Sequence, residues 1–216
     1  MNLHAEVLPP QQAMLLRSLG PAADSLGFVL GGGTAVALHL GHRRSLDFDW
    51  FTQDRIDDPV VLAARIVGND LPFEPSSVDR GTLHGRIDAV RVSFLEYPYA
   101  PLQPATEWPE FGCRLASLED LACMKLSAVA GRGARKDFVD IHALGSRCFE
   151  LSRMLTLYQR RYGIRDVGHV LFALVFFDDA EREPMPEMLW DTRWNEIRES
   201  ITNWVRQLDR ASMRAW

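Results

Sequence analysis

Two short clusters in this 216-residue chain could bind a nucleotide and its metal ion. The first is a run of three glycines followed by Thr34, directly after the apolar residues 28–30. The second is an aspartate pair, Asp47 and Asp49, separated by one residue. Glycines let the backbone turn tightly and approach a ligand, and the N–H groups at a helix start attract anions. The clusters therefore supply a phosphate-binding turn and two carboxylates that can hold a divalent metal ion.

The aspartate pair lies in a segment whose apolar-polar alternation predicts a β-strand. Successive side chains of a strand point to opposite faces, so Asp47 and Asp49 share one face. Leu46, Phe48 and Trp50 are expected on the other face, in the core. Two carboxylates so placed repel each other unless a cation lies between them. The pattern favours a metal-binding strand.

Each cluster also has an ordinary explanation. A glycine run before a helix is often only a tight turn, and an Asp-x-Asp pair on an amphipathic strand is often a solvated face. Here a single short helix, which Thr34 opens, joins the turn to the strand and places them side by side. The combination is a stronger signal than either part alone.

These residues resemble the minimal nucleotidyltransferases of the DNA polymerase β superfamily, in which a strand, a Gly-Gly-Ser/Thr turn, a helix and an Asp-x-Asp strand follow one another. The finer resemblance, over residues 27–51, is to the AbiEii/AbiGii toxin family of nucleotidyltransferases. A second matching block lies near Lys125 and over residues 136–144. The resemblance implies a transferase that uses an NTP and one or two Mg²⁺ ions held by Asp47 and Asp49.

The same resemblance implies how the triphosphate is bound. Backbone N–H groups and the threonine hydroxyl of the turn would bind phosphate oxygens, and nearby cations would offset the charge that develops during transfer. The expected nucleotide-binding residues are Gly32, Gly33, Thr34, Arg43, Arg44 and Lys125.

Lys125 is singled out by its position on a predicted helix. Ser117 and Asp120 have the spacing of a capping box, which predicts the start of this helix. Lys125 falls at the centre of its apolar arc, where an ammonium group needs an anionic partner. The residue could reach solvent, pair with a buried acid or contact a nucleotide, and its match to a family lysine favours the nucleotide.

The next predicted helix carries Asp137 and Asp140, which are three residues apart and share a partly apolar face. They could be structural partners of Lys125 or Arg132, an interpretation that we favour for Asp140. Together with Lys136 they also match a Lys-Asp pattern of the family, which implies a catalytic or nucleotide-positioning role for at least one acid. Asp137 is the preferred catalytic candidate, with Lys136 and Asp140 in support.

The chain departs from the superfamily pattern on a later predicted strand. The superfamily has a third carboxylate between apolar residues, and the nearest counterpart here is Ser93, which cannot replace an acid as a base. Glu96 is three residues further on and should point to the opposite face. Either two aspartates suffice and the base is Asp137 or the substrate itself, or the enzyme is impaired. The toxin family tolerates variation at this strand, which favours the first interpretation.

The composition fits an α+β protein with a sizeable core, because the chain has 47% hydrophobic and 25% charged residues. We expect a small mixed-sheet nucleotidyltransferase domain over residues 1–112 and a helical domain over 113–216 that contributes Lys125 and Asp137 to the cleft. Strands are expected at 28–30, 46–51, 73–78, 83–87 and 90–95, and helices at 11–26, with a break at Gly20-Pro21, and at 58–67.

Charge, cysteine content and hydropathy indicate which partners and which cellular compartment to expect. A net charge of −5 argues against sequence-blind DNA binding, which depends on neutralising many phosphates. The three cysteines are widely spaced without a Cys-x-x-Cys pair, which fits a reducing cytoplasm. The longest apolar run, residues 170–177, is far shorter than the ~20 residues that span a bilayer and predicts a buried helix. We expect no membrane association.

The last segment alternates apolar steps of four and three, from Trp190 through Trp194 and Ile201 to Leu208. This seam favours packing of a long amphipathic helix against the preceding helices over a surface for an antitoxin or a second copy. His84, like the other scattered histidines, has no ligand at metal-binding spacing and is interpreted as a packing or surface residue.

The resemblance points to RNA, particularly tRNA ends, as the acceptor, and to a cognate antitoxin protein as a partner. Two other functions remain open. One is a small-molecule nucleotidyltransferase of the antibiotic-modifying type, for which an acidic rather than a basic cleft would be the discriminator. The other is a non-catalytic nucleotide-binding module, which the missing third carboxylate suggests.

Overall fold

The computed structural model describes residues 3–68 and 71–213, with side chains up to residue 208. Within these ranges one mixed sheet is combined with α-helices, as the sequence predicted. The strands are β1 (Val29–Leu30), β2 (Phe48–Thr52), β3 (Phe73–Asp79), β4 (Thr82–Ile87), β5 (Val90–Glu96), β6 (Thr106–Trp108) and β7 (Cys113–Leu115). The helices are α1 (Pro10–Ser25), α2 (Gly32–Leu40), α3 (Pro59–Val67), α4 (Leu118–Gly131), α5 (Arg135–Arg147), α6 (Leu151–Tyr162), α7 (Gly168–Leu174) and α8 (Trp194–Met213).

The sheet has the strand order β3-β4-β5-β2-β1-β7-β6 in the described part of the chain. Its centre is formed by β2, which pairs antiparallel with β1 and parallel with β5. The parallel register places Asp49 opposite Ser93, and the antiparallel pairing of β4 with β5 places His84 opposite Ser93. Three neighbouring strands therefore align these three residues in one row.

The apolar side of the central strands forms the core. Phe48 and Trp50 of β2 are buried, as are their neighbours in β5. Phe94 meets Phe28 and Phe73 edge to face, with ring centroids 5.0 and 6.0 Å apart. Aromatic pairs prefer this geometry, and their burial fixes which face of β2 turns away from the core. Asp49 consequently lies on the opposite face.

Helix α2 connects the sheet to the helical part of the chain. It contacts β2 on one side and both α4 and α5 on the other. Residues from Thr34 to His39 are all buried, which matches their nearly continuous apolar sequence. Because the glycine turn lies at the start of this helix, its position is set by both parts of the molecule.

The predicted start of α4 is confirmed. The Asp120 N–H donates to the Ser117 hydroxyl over 3.1 Å, and the helix begins at Leu118. The predicted helix near residue 58 is also found, with the Asp58 carboxylate accepting hydrogen bonds from the N–H groups of Val60 and Val61. The capping pattern predicted the start of α4, and the structure shows that a side-chain cap also stabilises the start of α3.

Three local expectations were wrong. Helix α1 does not break at Gly20-Pro21 but continues through Pro21 to Ser25. Leu46 is 57% exposed rather than buried, because β2 begins at Phe48 and strand alternation does not extend back to residue 46. The apolar run 170–177 is not a buried helix throughout, since α7 ends at Leu174 and Phe172 is 68% exposed.

Strands β6 and β7 escaped the sequence analysis because each has only three residues, too few to show alternation. Strand β7 pairs with β1, so the sheet continues into the segment after residue 112. The division of the chain into domains at residue 112 stays a prediction.

The C-terminal seam packs into the helical layer. Helix α8 starts at Trp194, so Trp190 lies outside it, while Ile197 and Ile201 are fully buried. The Trp204 ring lies against Gly145 of α5, where no Cβ would fit. Across the described residues, none of the helices has the length and apolarity that a bilayer span requires.

We predict that Gly20→Ala destabilises the protein by about 1–3 kcal/mol. In a helix interior this change ordinarily stabilises, but here the new Cβ would collide with the carbonyl oxygen of Phe111. Gly131→Ala is the matched control, because its Cβ would meet no atom within 4 Å. Urea denaturation of both variants tests this, and equal stability of the two would contradict the packing seen at α1.

Candidate active site

The glycine turn lies directly against the aspartate strand. Gly32 has a positive φ of 61°, which favours glycine, and a Cβ there would lie 2.6 Å from a carboxylate oxygen of Asp49. The Gly31 N–H donates to the Asp49 carbonyl over 2.8 Å. A Cβ on Gly33 would collide with the Arg43 guanidinium. The glycines are therefore required so that helix α2 can begin in contact with both charged groups.

Helix α2 leaves backbone donors free at its start. The first intrahelical hydrogen bond runs from the Ala35 N–H to the Gly31 carbonyl over 3.2 Å. The N–H groups of Gly32, Gly33 and Thr34 precede it and have no acceptor within the helix. These three groups and the positive end of the helix dipole are suited to phosphate oxygens.

Asp47 and Asp49 line the same cleft, of about 540 Å³, as Gly32 and Gly33. The Asp47 carboxylate accepts two hydrogen bonds from Arg91, at 3.0 and 2.9 Å, and lies 3.8 Å from Lys136 Nζ. The Asp49 carboxylate receives no hydrogen bond or ion pair from any described residue. Arg91 was not among the predicted site residues, because its side chain reaches Asp47 only through the pairing of β5 with β2.

The Thr34 hydroxyl is already engaged inside the protein. It is buried and shares a 2.7 Å hydrogen bond with the Ser45 hydroxyl, and it donates to the Asp47 carbonyl. These bonds fasten the segment that precedes β2 to helix α2. The hydroxyl therefore fixes the backbone of Asp47, while the Thr34 N–H remains at the helix start.

A buried carboxylate, Asp140, lies behind the turn and is fully inaccessible to solvent. Arg43 binds both of its oxygens, over 2.7 and 2.9 Å, and Lys125 Nζ lies 2.6 Å from one of them. The His42 Nε2 is 2.8 Å from the other oxygen. Three segments of the chain thus meet at one carboxylate.

The second buried acid, Asp137, is also saturated by cations. Lys125 donates to it over 2.9 Å, and Arg132 binds both of its oxygens over 2.7 and 3.0 Å. Lys125 is only 3% exposed and lies between Asp137 and Asp140. The expectation that a lysine on this apolar arc requires an anionic partner is met twice.

These contacts determine the charge states. Burial alone would raise the pKa of Asp140, but Arg43 and Lys125 hold it well below its ordinary value. Burial likewise opposes ionisation of Asp137, yet Lys125 and Arg132 lower its pKa. Burial would lower the pKa of Lys125, but Asp140 and Asp137 raise it above its ordinary value. All three groups remain charged near neutral pH.

His42 behaves differently. Burial lowers the pKa of His42 although its ring donates a hydrogen bond to Asp140, so the imidazole is neutral near neutral pH. The ring packs edge to face against Trp190, with centroids 5.7 Å apart. His42 therefore contributes a hydrogen bond to Asp140 and no charge.

The remaining predicted residues lie at the rim of the cleft. Arg44 pairs with Glu187 over 2.6 Å and is partly exposed. The side chain of Lys136, at the start of α5, is 43% exposed and lines the same cleft. Arg132, which was predicted as a possible partner for the acids of α5, also lines the cleft. Asp137 and Asp140 do not reach the cleft surface and act beneath it.

As the sequence predicted, β5 carries Ser93 at the position of the superfamily's third carboxylate, and Ser93 is paired with Asp49. Glu96 does not compensate, because its carboxylate points away from the cleft and accepts the Ile56 N–H over 3.1 Å. Instead His84 Nδ1 lies 2.9 Å from the Ser93 hydroxyl, and the ring lines the cleft. Its interpretation as a packing or surface residue missed this position, because only strand pairing brings residues 84 and 93 together.

The donor set fits a divalent ion of the Mg²⁺ type. Two carboxylates offer hard oxygen ligands beside a cleft, and Asp49 is not neutralised by an ion pair with a described residue. The described residues contain no group of three or more His, Cys, Asp or Glu suited to a metal ion. A metal ion here would therefore depend on Asp47, Asp49 and oxygens from water or the triphosphate.

The sheet, the glycine turn at a helix start and the paired aspartates define a nucleotidyltransferase fold. MenT4, a nucleotidyltransferase toxin from Mycobacterium tuberculosis, shares this fold with a TM-score of 0.56 at 17% identity, covering 93% of this chain and 84% of that chain. The antibiotic-resistance factor ANT(2'')-Ia shares it with a TM-score of 0.53 at 19% identity, covering 71% of this chain and 93% of that chain.

The sequence comparisons show the family. The model of the nucleotidyl transferase AbiEii toxin of type IV toxin-antitoxin systems matches residues 14–210. The uncharacterized protein aq_aa25 of Aquifex aeolicus (strain VF5) is 31% identical over 191 residues, which is 88% of this chain and 90% of that protein. The chain belongs to the AbiEii toxin family, and it is a nucleotidyltransferase.

We predict that Asp140→Asn lowers the free energy of unfolding by about 3–5 kcal/mol, because it leaves Arg43 and Lys125 buried without their shared countercharge. Asp57→Asn is the matched control, since Asp57 pairs with Arg55 at an exposed site. Urea denaturation of both variants makes the comparison. An Asp140→Asn protein as stable as the Asp57→Asn protein would show that the buried network does not support the fold.

We also predict a specific acid sensitivity. The pKa values of Asp137 and Asp140 are lowered in the folded state, so below about pH 5 the unfolded chain takes up protons that the folded chain does not. The stability that these groups contribute is complete near neutral pH and is lost as the pH falls. Urea midpoints between pH 7 and pH 3 should fall less steeply for Asp140→Asn than for the wild type. Parallel curves would contradict the prediction.

Proposed function

We propose that this protein transfers a nucleotide from an NTP to an RNA acceptor, in particular a tRNA end, in a Mg²⁺-dependent reaction. We further propose that it acts in the cytoplasm as the toxin of a toxin-antitoxin or abortive-infection system and is restrained by a cognate antitoxin protein. The family supports nucleotidyl transfer and the toxin role. The charge of the cleft supports a polyanionic acceptor.

Asp47 and Asp49 would hold one or two Mg²⁺ ions. Bound there, the metal would neutralise triphosphate oxygens and stabilise the charge that moves to the leaving pyrophosphate. In the structure Arg91 and Lys136 supply the positive charge next to Asp47. These exposed side chains are free to turn toward phosphate groups once a metal ion takes their place.

The phosphates of the NTP would bind at the start of α2. The N–H groups of Gly32, Gly33 and Thr34 provide the donors, and Arg44 at the rim provides charge. Lys125 and Arg43 line the same cleft but are held by Asp140, so they present fixed positive charge rather than mobile side chains. Preorganised charge of this kind costs no rearrangement during the reaction.

The structure argues for a positioning role of Asp137. A general base must be able to accept a proton, but both oxygens of Asp137 already bind cations, its pKa is lowered and it is inaccessible to solvent. Its contacts instead fix Lys125 from α4 and draw Arg132 to the cleft. We propose that residues 1–112 and 113–216 form two parts of one active site, with α4 supplying Lys125 across their junction.

The balance of charge in the cleft is the observation that carries the choice of acceptor. Cationic side chains outnumber carboxylates along it, with Arg43, Arg44, Arg91, Lys125, Arg132 and Lys136 against Asp47, Asp49 and Glu187. When the buried Asp137 and Asp140 are included, the cations still exceed the acids by one, although the whole chain has a net charge of −5. A bound divalent ion would increase this excess. A basic cleft on an acidic protein favours a local contact with RNA phosphates.

The two other functions are less well supported. A small-molecule nucleotidyltransferase is favoured only by the fold that the chain shares with ANT(2'')-Ia. A polycationic antibiotic would meet the same excess of positive charge that attracts RNA. A non-catalytic module is suggested by Ser93 alone, while the turn and both aspartates are in place.

The decisive experiment incubates the protein with Mg²⁺, each of four labelled NTPs and either total RNA or an aminoglycoside. We expect label on RNA, and a loss of about 100-fold or more in Asp47→Ala and Asp49→Asn, because each removes a ligand of the metal ion. Asp79→Asn, a carboxylate on β3 outside the cleft, is the control and should retain the wild-type rate.

The other outcomes are equally informative. Label on the aminoglycoside alone would replace the RNA proposal with the small-molecule alternative. Binding of an NTP without transfer to either acceptor would support the non-catalytic module. Transfer at the wild-type rate after addition of EDTA would contradict the Mg²⁺ dependence.

A further inference from the structure

Ser93 and His84 lie where the superfamily has its third carboxylate. Asp49, Ser93 and His84 are directly paired on the neighbouring strands β2, β5 and β4. Residues paired across a sheet point to the same face, so the three side chains share the face that carries the metal-binding aspartate. At position 93, where the superfamily has a carboxylate, this chain has a serine whose hydroxyl is hydrogen-bonded to the imidazole of His84.

We propose that His84 is the general base of the reaction and that Ser93 positions it. This inference rests on the proposed function. The His84 Nδ1 and the Ser93 hydroxyl oxygen are 2.9 Å apart. Adjacent strands lie about 4.8 Å apart, so this bond draws the imidazole from β4 toward the Asp49 side of the sheet. The ring is partly exposed and lines the cleft with Asp47 and Asp49.

The two ring nitrogens would have separate tasks. If Nδ1 carries the hydrogen and donates it to Ser93, the lone pair of Nε2 is available. No described residue forms a hydrogen bond with Nε2. A ring that lines a substrate cleft, with one nitrogen fixed by a hydrogen bond and the other without a protein partner, is the arrangement that proton abstraction requires.

The step balances without another reactant. The acceptor hydroxyl oxygen forms a bond to the α-phosphorus of the NTP, and its proton passes to Nε2 of His84. The bond from that phosphorus to the oxygen bridging to the β-phosphate breaks, and pyrophosphate leaves with the electron pair. The imidazolium then returns its proton to solvent.

Other groups in the cleft are less suited to this task. Asp137 is saturated by Lys125 and Arg132, and Glu96 points away toward the Ile56 N–H. Asp47 and Asp49 are assigned to the metal. His42 is buried against Asp140 and does not line the cleft. Glu187 lines the cleft but is paired with Arg44 over 2.6 Å. Among the described side chains lining the cleft, His84 is therefore the remaining candidate for a base.

The first test replaces the imidazole. We expect His84→Gln to lower kcat about 100-fold while the KM for the NTP and the affinity measured by NTP titration stay unchanged. His169→Gln, the same substitution at an exposed histidine of α7, should leave kcat unchanged. Added imidazole should raise the rate of His84→Ala, because a free base can occupy the space that the ring leaves.

The second test restores the carboxylate. In the His84→Gln background, Ser93→Asp places an acid directly opposite Asp49. We expect it to recover at least about tenfold of the lost kcat, since an acid at position 93 supplies a base on the strand next to the lost imidazole. A purely structural role of the His84 and Ser93 pair predicts no such recovery, because the double variant lacks the original hydrogen bond.

The outcomes separate this inference from the proposed function. If the wild type transfers no label to any acceptor, the proposed function fails and the role of His84 fails with it. If the wild type is active and His84→Gln retains its kcat, only the role of His84 is overturned. A loss of kcat in His84→Gln that neither imidazole nor Ser93→Asp rescues also overturns it, whether or not NTP binding is retained. Loss with rescue supports it.

Discussion

The structure depends on a buried carboxylate that three positive or polar groups share. Asp140 lies in α5, Lys125 in α4, and Arg43 with His42 in the segment between α2 and β2. Burying a charge is costly unless it is paired, and each partner here is itself buried. None of these residues can move into solvent without leaving the others uncompensated. The network therefore fixes the helical part of the chain against the turn and the aspartate strand.

This constraint explains how a locally flexible sequence becomes a rigid site. Three glycines would allow many backbone conformations, but the Gly31 N–H donates a hydrogen bond to the Asp49 carbonyl. Gly32 lies against the Asp49 side chain, and Gly33 lies against the Arg43 guanidinium. Arg43 in turn is held by Asp140. The turn is thus confined between a strand and an ion pair, and its N–H groups keep one direction. Catalysis that relies on preorganised donors benefits from such confinement.

The site has two sets of charged groups, one buried beneath the cleft and one lining it. The buried level contains Asp137 and Asp140 with the cations that they hold, and these groups stay charged because their pKa values move away from neutrality. The cleft level contains the two aspartates proposed for the metal, with exposed Arg91 and Lys136 beside Asp47. The first level provides a fixed field, whereas the second has side chains that can exchange partners with a ligand.

The sequence by itself determined the family, the α+β class, the central strands, the start of α4 and the need of Lys125 for anionic partners, because these depend on local spacing, capping and periodicity. It did not determine that β2 starts at Phe48, that β7 joins the sheet, or that α1 passes through Pro21, because tertiary packing overrides short-range preference there. The contacts of Asp137, Arg91 and His84 were decided only by the fold. Each of these residues contacts a neighbour that is distant in sequence or on the next strand. The pairs are Asp137 with Lys125, Arg91 with Asp47, and His84 with Ser93. Only helix packing or strand register brings the members of each pair together.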